Sequence, residues 1–320
     1  MASLKEIKRR VSSIKSIWKI TSAMRKIASA KLHRAQSAVA AARLYEQQLQ
    51  DILSSLSIDE RTKESPYTDT KREVKRVAIV PFSSNSSLCG AFNTNVLRKL
   101  NTTIQTRYKN LDKSYILIFP VGRRIHDAAL RAGYTVQGNF QKMAEKPNYT
   151  DAAALAHQLL ELFSSHQVDC VELIYNRYKS MAVQISTAEV FLPFAPQKSA
   201  LPSTGTSLST GTSPSPSAPA SQNASALPSN TRGWETFPDY IVEPSRDELI
   251  AVLFPKILKL KLFSTLLDSI AAEHAARTVA MQLATDNAEG MINELTLLYN
   301  KSRQQSITNE LLDILGGSTR

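Results

Sequence analysis

The chain has 320 residues, enough for one large domain or two smaller ones, and its 42% apolar content excludes a wholly disordered polypeptide. Its formal charge of +11, from 39 basic and 28 acidic residues, favours an acidic partner: nucleic acid, an anionic membrane or an acidic protein surface. Two cysteines exclude a disulfide framework or a cysteine metal cage, and no run approaches the ~18 apolar residues of a spanning helix.

The charge is concentrated. Residues 1–50 hold Lys5, Lys8, Arg9, Arg10, Lys15, Lys19, Arg25, Lys26, Lys31, Arg34 and Arg43 against Glu6 and Glu46, so one segment carries +9 of the +11. Its basic start lacks an apolar core, so no secretory signal is expected. The first proline is Pro66 and the first glycine Gly90, which leaves the segment free of helix breakers. The pattern predicts one long helix from residue 3 to about 56, within an N-terminal unit spanning 1–60. Ser3 and Glu6 form a capping box. Leu4, Ile7, Val11, Ile14, Ile17, Ile20, Met24 and Ile27 recur at a mean step of about 3.3, so the apolar stripe wraps around the helix. Such a helix, roughly 80 Å long, needs another long element or a partner beside it. The stripe is expected to meet a facing C-terminal helix.

Residues 74–195 change character. Val77–Val80 and Ile116–Phe119 are short apolar runs of the buried-strand type. Helices are predicted at 92–109, 123–131 and 151–164, the last capped by Thr150 or Asp151. Val171–Tyr178 and Val183–Leu192 read as two more strands, a hairpin through Lys179-Ser180. This alternation predicts a small Rossmann-like α/β domain with mostly parallel strands.

Residues 197–233 contain ten Ser, five Thr and five Pro, with no acid and no aromatic. That composition predicts a disordered insert over 197–235. Helix is expected again from Arg246 to Leu315, within a C-terminal unit spanning 240–320. Leu253, Ile257, Leu260, Phe263, Leu267 and Ile270 form its stripe. The stretch 271–289 has seven alanines, which makes a slim rod. Two long terminal helices joined by a compact domain predict an antiparallel coiled coil.

Motifs for catalysis are absent. No phosphate loop, no G-x-G-x-x-G, no H-E-x-x-H and no G-x-S-x-G occurs. His33, His126, His157, His166 and His274 lack metal-ligand spacing. Cys89, in Ser-Asn-Ser-Ser-Leu-Cys-Gly at 84–90, has no identifiable base and reads as part of a structural turn. No cofactor is expected. The basic helix alone leaves nucleic acid, a membrane surface and an acidic protein all open as partners.

Three stretches narrow that choice. Ile20-Thr21-Ser22-Ala23-Met24-Arg25-Lys26-Ile27-Ala28-Ser29-Ala30-Lys31-Leu32 resembles the N-terminal signature of the ATP synthase gamma subunit family. Leu88-Cys89-Gly90-Ala91-Phe92-Asn93 resembles that family's first-strand loop. Glu273 to Met281, Ala284 to Ala288, Tyr299 to Gln304 and Ile307 to Leu311 resemble its C-terminal signature. Ser84-Asn85-Ser86-Ser87 departs from the usual charged, glycine-containing lead into the loop.

The resemblance implies a rotor shaft. Its paired terminal helices would stand inside a ring of three alpha and three beta subunits, with the α/β domain against the epsilon subunit and the c-subunit ring. Proton flow would turn the c ring and the shaft, and the shaft would drive the beta sites, where ATP is made. The chain itself would not be catalytic. It would sit peripherally at the cytoplasmic face of a bacterial inner membrane, bound to the membrane only through the complex. By motif position, Met24, Arg277, Gln304 and Thr308 would carry coupling to beta. Lys8, Arg9, Lys15, Lys19, Arg25 and Lys26 would form a basic shaft surface facing an acidic beta segment. A nucleic-acid-binding coiled coil is the runner-up.

Overall fold

In the computed structural model, residues 4–56, 67, 74–194, 243 and 245–317 are described. Ser3 and the 197–235 insert lie outside them.

Helix α1 runs over Leu4–Leu56 and helix α6 over Arg246–Gly317. They pack antiparallel, with Thr21 facing Thr285 and Arg25 facing Gln282. One row of buried or half-buried positions on α1 runs through Ile7, Val11, Ile14, Trp18, Thr21, Arg25, Ala28, Leu32, Ala35, Val39, Ala42, Glu46, Leu49 and Leu53, with half-buried Leu4, Ser22, Gln36, Gln50 and Ile52 beside it. The steps alternate between four and three, a heptad seam of period 3.5. On α6, Thr278, Met281, Thr285, Ala288, Ile292 and Leu295 continue it in the same alternation.

This seam corrects the expected stripe. Ile7 is buried, and Val11 and Ile14 are half-buried. Ile17, Ile20, Met24 and Ile27 are 52%, 54%, 38% and 58% exposed. A stripe stepping at about 3.3 drifts off a seam stepping at 3.5. Beyond Ile14 the helix pair buries the residue beside each apolar one.

α6 also begins before the proline that would ordinarily stop it, and Pro255 lies inside the helix. Leu253, Phe254, Ile257 and Leu260 there pack with Leu49 and Leu53 of α1. That packing offsets the hydrogen bond Pro255 cannot donate.

Between the two helices the chain forms a five-stranded sheet in the order β3-β2-β1-β4-β5. The strands are β1 (Val77–Pro81), β2 (Ile116–Ile118), β3 (Thr135–Val136), β4 (Cys170–Tyr178) and β5 (Gln184–Leu192). β1 pairs parallel with β2 and β4, β2 pairs parallel with β3, and β5 is antiparallel to β4. The mostly parallel expectation holds. The sequence missed β3, the five-residue helix α4 (Gln141–Glu145) and a 3₁₀ turn at Lys113–Tyr115. Helices α2 (Phe92–Arg107), α3 (Arg123–Arg131) and α5 (Tyr149–Ser164) lie close to their predicted places. The cap of α5 is Asn148, not Thr150 or Asp151. Its side chain accepts from the Thr150 N–H, and its extended backbone leaves Tyr149 to open the helix.

The sheet has two covered faces. One, with Val77, Ile79, Ile118 and Ile174, packs under α2 and α3. The other, with Ala78, Val80, Val171 and Leu173, packs against α5, α6 and, through them, α1. This second core merges domain and helix pair. It explains why α6 is buried almost all round from Ile257 to Ala275: one side meets α1, the other meets α5 and β4.

Candidate functional site

The C-terminal end of β1 delivers a loop, 83–91, against the middle of α6. Two backbone requirements shape it. Leu88 and Gly90 hold positive φ of 68° and 56°. Gly122, at the start of α3, has φ 103°, and a Cβ there would lie 2.2 Å from the Ser83 carbonyl oxygen. Only glycine fits so close an approach. Within the loop, Asn93 bonds Ser84 Oγ and donates to Cys89 Sγ at 3.1 Å, and Cys89 is buried. Among the described residues the thiol meets Ser84, the Ser86 carbonyl and Asn93.

Arg277 fastens this loop to the shaft. Its guanidinium pairs with Glu273 at 2.8 Å and donates to Ser86 Oγ at 2.7 Å. Burial raises the Glu273 pKa, while Arg277 and Lys31 oppose the shift. Next to it, His274 is pushed down to about 4, first by burial and then by Arg277 and Lys31. His274 is therefore neutral near pH 7, and among the described residues its buried Nδ1 has no hydrogen-bond partner.

The four residues expected to carry coupling do not converge. Met24 stands nearly level with Gln282, about 8 Å along the axis from Arg277 at 1.5 Å per residue. Gln304 and Thr308 lie a further 33–39 Å or so along α6 by the same rise. Both are exposed, and Thr308 Oγ donates to the Gln304 carbonyl of its own helix. Arg277 is engaged inside the chain. Its side chain is 16% exposed.

Of the basic surface residues, Lys8, Arg9, Lys15, Lys19 and Lys26 are exposed. Arg25 instead turns into the seam and donates to Gln282, which in turn donates to Asp286. Near the N-terminus of α1, Glu6, Arg9, Arg10 and Ser13 face Met291 and Glu294 across a groove of about 520 Å³.

Sequence reasoning missed the charged ties between elements. Arg43 donates twice to Asp268, at 2.7 Å each. Lys261 reaches Glu46 at 3.3 Å and Glu189 at 3.0 Å. Arg107 pairs with Glu172, which is fully buried on β4. Glu46 occupies a core position of the seam, where a carboxylate requires a cation from another element, but that position shows only once the partner helix is in place.

These features define a class: a long helix pair carrying a small mixed-sheet domain that is packed and ion-paired onto it. The comparisons make it particular. The family model described as ATP synthase matches residues 3–319. The ATP synthase gamma chain of Phocaeicola vulgatus is 47% identical over 99% of both chains, and that of Bacteroides thetaiotaomicron 48% identical over 99% of both. Among solved structures, a chain of the Euglena gracilis mitochondrial ATP synthase superposes with a TM-score of 0.58 at 18% identity. That match covers 99% of this chain and 93% of the other. A chain of the Tetrahymena thermophila central stalk and c ring gives 0.52 at 20% identity, covering 83% and 99%. The chain belongs to the ATP synthase gamma chain family, the central-stalk rotor subunits of F-type ATP synthases. The resemblance read from its three signatures is thereby borne out. Among the described residues, no helix is long and apolar enough to cross a membrane.

Proposed function

We propose that this chain is the turning shaft that couples proton-driven rotation of a c ring to the beta-subunit sites where ATP is made, and that it performs no chemistry of its own. The α/β domain takes up rotation from the c ring and epsilon subunit. The α1–α6 pair passes it into a ring of three alpha and three beta subunits. Running in reverse, ATP hydrolysis on beta drives protons outward. The shaft sits at the cytoplasmic face of the inner membrane, held there by the complex, and needs no cofactor or nucleic acid.

The observation that carries this reading is the seam. A heptad-paired helix couple more than fifty residues long, continuous with the core of the α/β domain, is a stiff element that turns as one piece. The exposed apolar residues Ile17, Ile20, Met24 and Ile27, flanked by Lys15, Lys19 and Lys26, give it a second face for an acidic, partly apolar partner. Met24 contacts beta directly from this face. Gln304 and Thr308 offer hydrogen bonds from the free end of α6. Arg277 acts through the 83–91 loop.

Mixing the chain with purified alpha and beta subunits tests the reading. Stoichiometric assembly with sustained ATP hydrolysis is expected. A steep, salt-dependent complex with DNA and no assembly would overturn it.

A further inference from the structure

Rotation enters at the domain and leaves through the shaft, so the joint between them carries the whole load. Much of that joint is apolar packing, which is non-directional. One polar cluster is different because it touches α1, α6 and the sheet together. Lys261 of α6 projects between the two helices and β5. Its Nζ lies 3.3 Å from Glu46 Oε1 on α1 and 3.0 Å from Glu189 Oε1 on β5. Tyr175 of β4 donates its hydroxyl to the other Glu189 oxygen at 3.0 Å, fixing that carboxylate from a second side. Two turns further along α6, Arg43 holds Asp268 with two hydrogen bonds. Burial alone would lower the Lys261 pKa, but the two carboxylates outweigh it and raise the value, so the ammonium is charged at neutral pH.

We propose that Glu46, Lys261 and Glu189 are the positioning residues of a torque joint, which locks the angle of the α/β domain on the helix pair. This rests on the rotor reading above. A hydrogen-bonded ion pair is directional and short-ranged, so it fixes an angle that apolar packing leaves softer. One ammonium serves two carboxylates on two elements. Removing it leaves like charges facing each other across the joint and drives the elements apart.

The test uses the complete complex in sealed vesicles, with ATP hydrolysis and ATP-driven proton uptake measured together. In Lys261→Gln the protons moved per ATP are expected to fall about fivefold, while hydrolysis continues at the wild-type rate. Lys261→Arg restores the ratio. Glu189→Gln keeps its size and its bond to Tyr175, so it is read in the same way where Lys261→Gln assembles poorly. Wild-type proton ratios in both Gln variants, with or without a lowered melting temperature, overturn the joint and leave the cluster a stabilising one only. A wild-type chain that fails to assemble with alpha and beta overturns the rotor reading, and the joint with it.

Discussion

Met24 and His274 illustrate opposite uses of burial on the same helix pair. Met24 is 38% exposed on the outer face of α1, one position before the seam residue Arg25. A charge there is solvated in the free chain and costs little. Met24→Lys should therefore leave the melting temperature of the isolated chain unchanged and reduce ATP-driven proton pumping of the assembled complex. Normal pumping would show that Met24 faces no partner. His274 faces inward, and its pKa is lowered from 6.5 to about 4 in the folded chain. The unfolded chain then binds a proton that the folded one refuses. Stability falls as pH drops from about 6.5 and levels off near 4. Thermal unfolding between pH 7 and pH 4.5 checks this, and His274→Gln should flatten that part of the slope.

At the scale of elements, α1 carries two apolar rows, and only one holds the pair together. Leu32 is 3% exposed in the seam, whereas Ile20 is 54% exposed outside it. Leu32→Ala should cost about 2–4 kcal/mol by cavity formation, and Ile20→Ser less than about 0.5 kcal/mol. Urea unfolding of the two variants measures the difference. Much of the element map was legible in the sequence because breakers and apolar runs are local signals. The ends of α3, the parallel strands and the antiparallel pairing of the terminal helices all follow from them. The seam was less legible. Trp18, Thr21, Arg25 and Glu46 are not conventional core residues, and only the partner helix selects them over Ile17, Ile20 and Ile27. The start of α6 at Arg246, before Pro255, was expected, but the packing of that turn on Leu49 and Leu53 of a distant segment was not legible. The four residues expected to carry coupling were named by motif position, but their separation along the helix pair was not legible, because distance depends on the helix register. The Glu273–Arg277 pair has the i, i+4 spacing of a local helix contact, but the bond from Arg277 to Ser86 is a tertiary fact with no local trace.

For the whole molecule, the two helices are of unequal reach. With Thr21 facing Thr285, Leu4 stands about level with Ser302, so α6 continues for some fifteen residues, roughly 22 Å, beyond the described end of α1. That extension bears Gln304 and Thr308 and exposes Leu311, Leu312, Ile314 and Leu315. Deleting residues 303–320 should leave the isolated chain's melting temperature within about 2 °C of wild type, because little of its core is touched. Loss of hydrolytic rate in the assembled complex would then place a partner on this end, and Gln304→Ala with Thr308→Ala tests the hydrogen bonds alone. An unchanged rate would leave the extension without a role in coupling.

The seam's period has a mechanical corollary. Helices meeting every 3.5 residues coil around each other in a left-handed sense, as straight helices of 3.6 residues per turn must to keep a heptad row in contact. A left-handed rope tightens when twisted one way and loosens when twisted the other. Torque that enters at one end and is resisted at the other winds the pair in the same sense whether synthesis or hydrolysis prevails, so its handedness sets one torsional response for both directions of work.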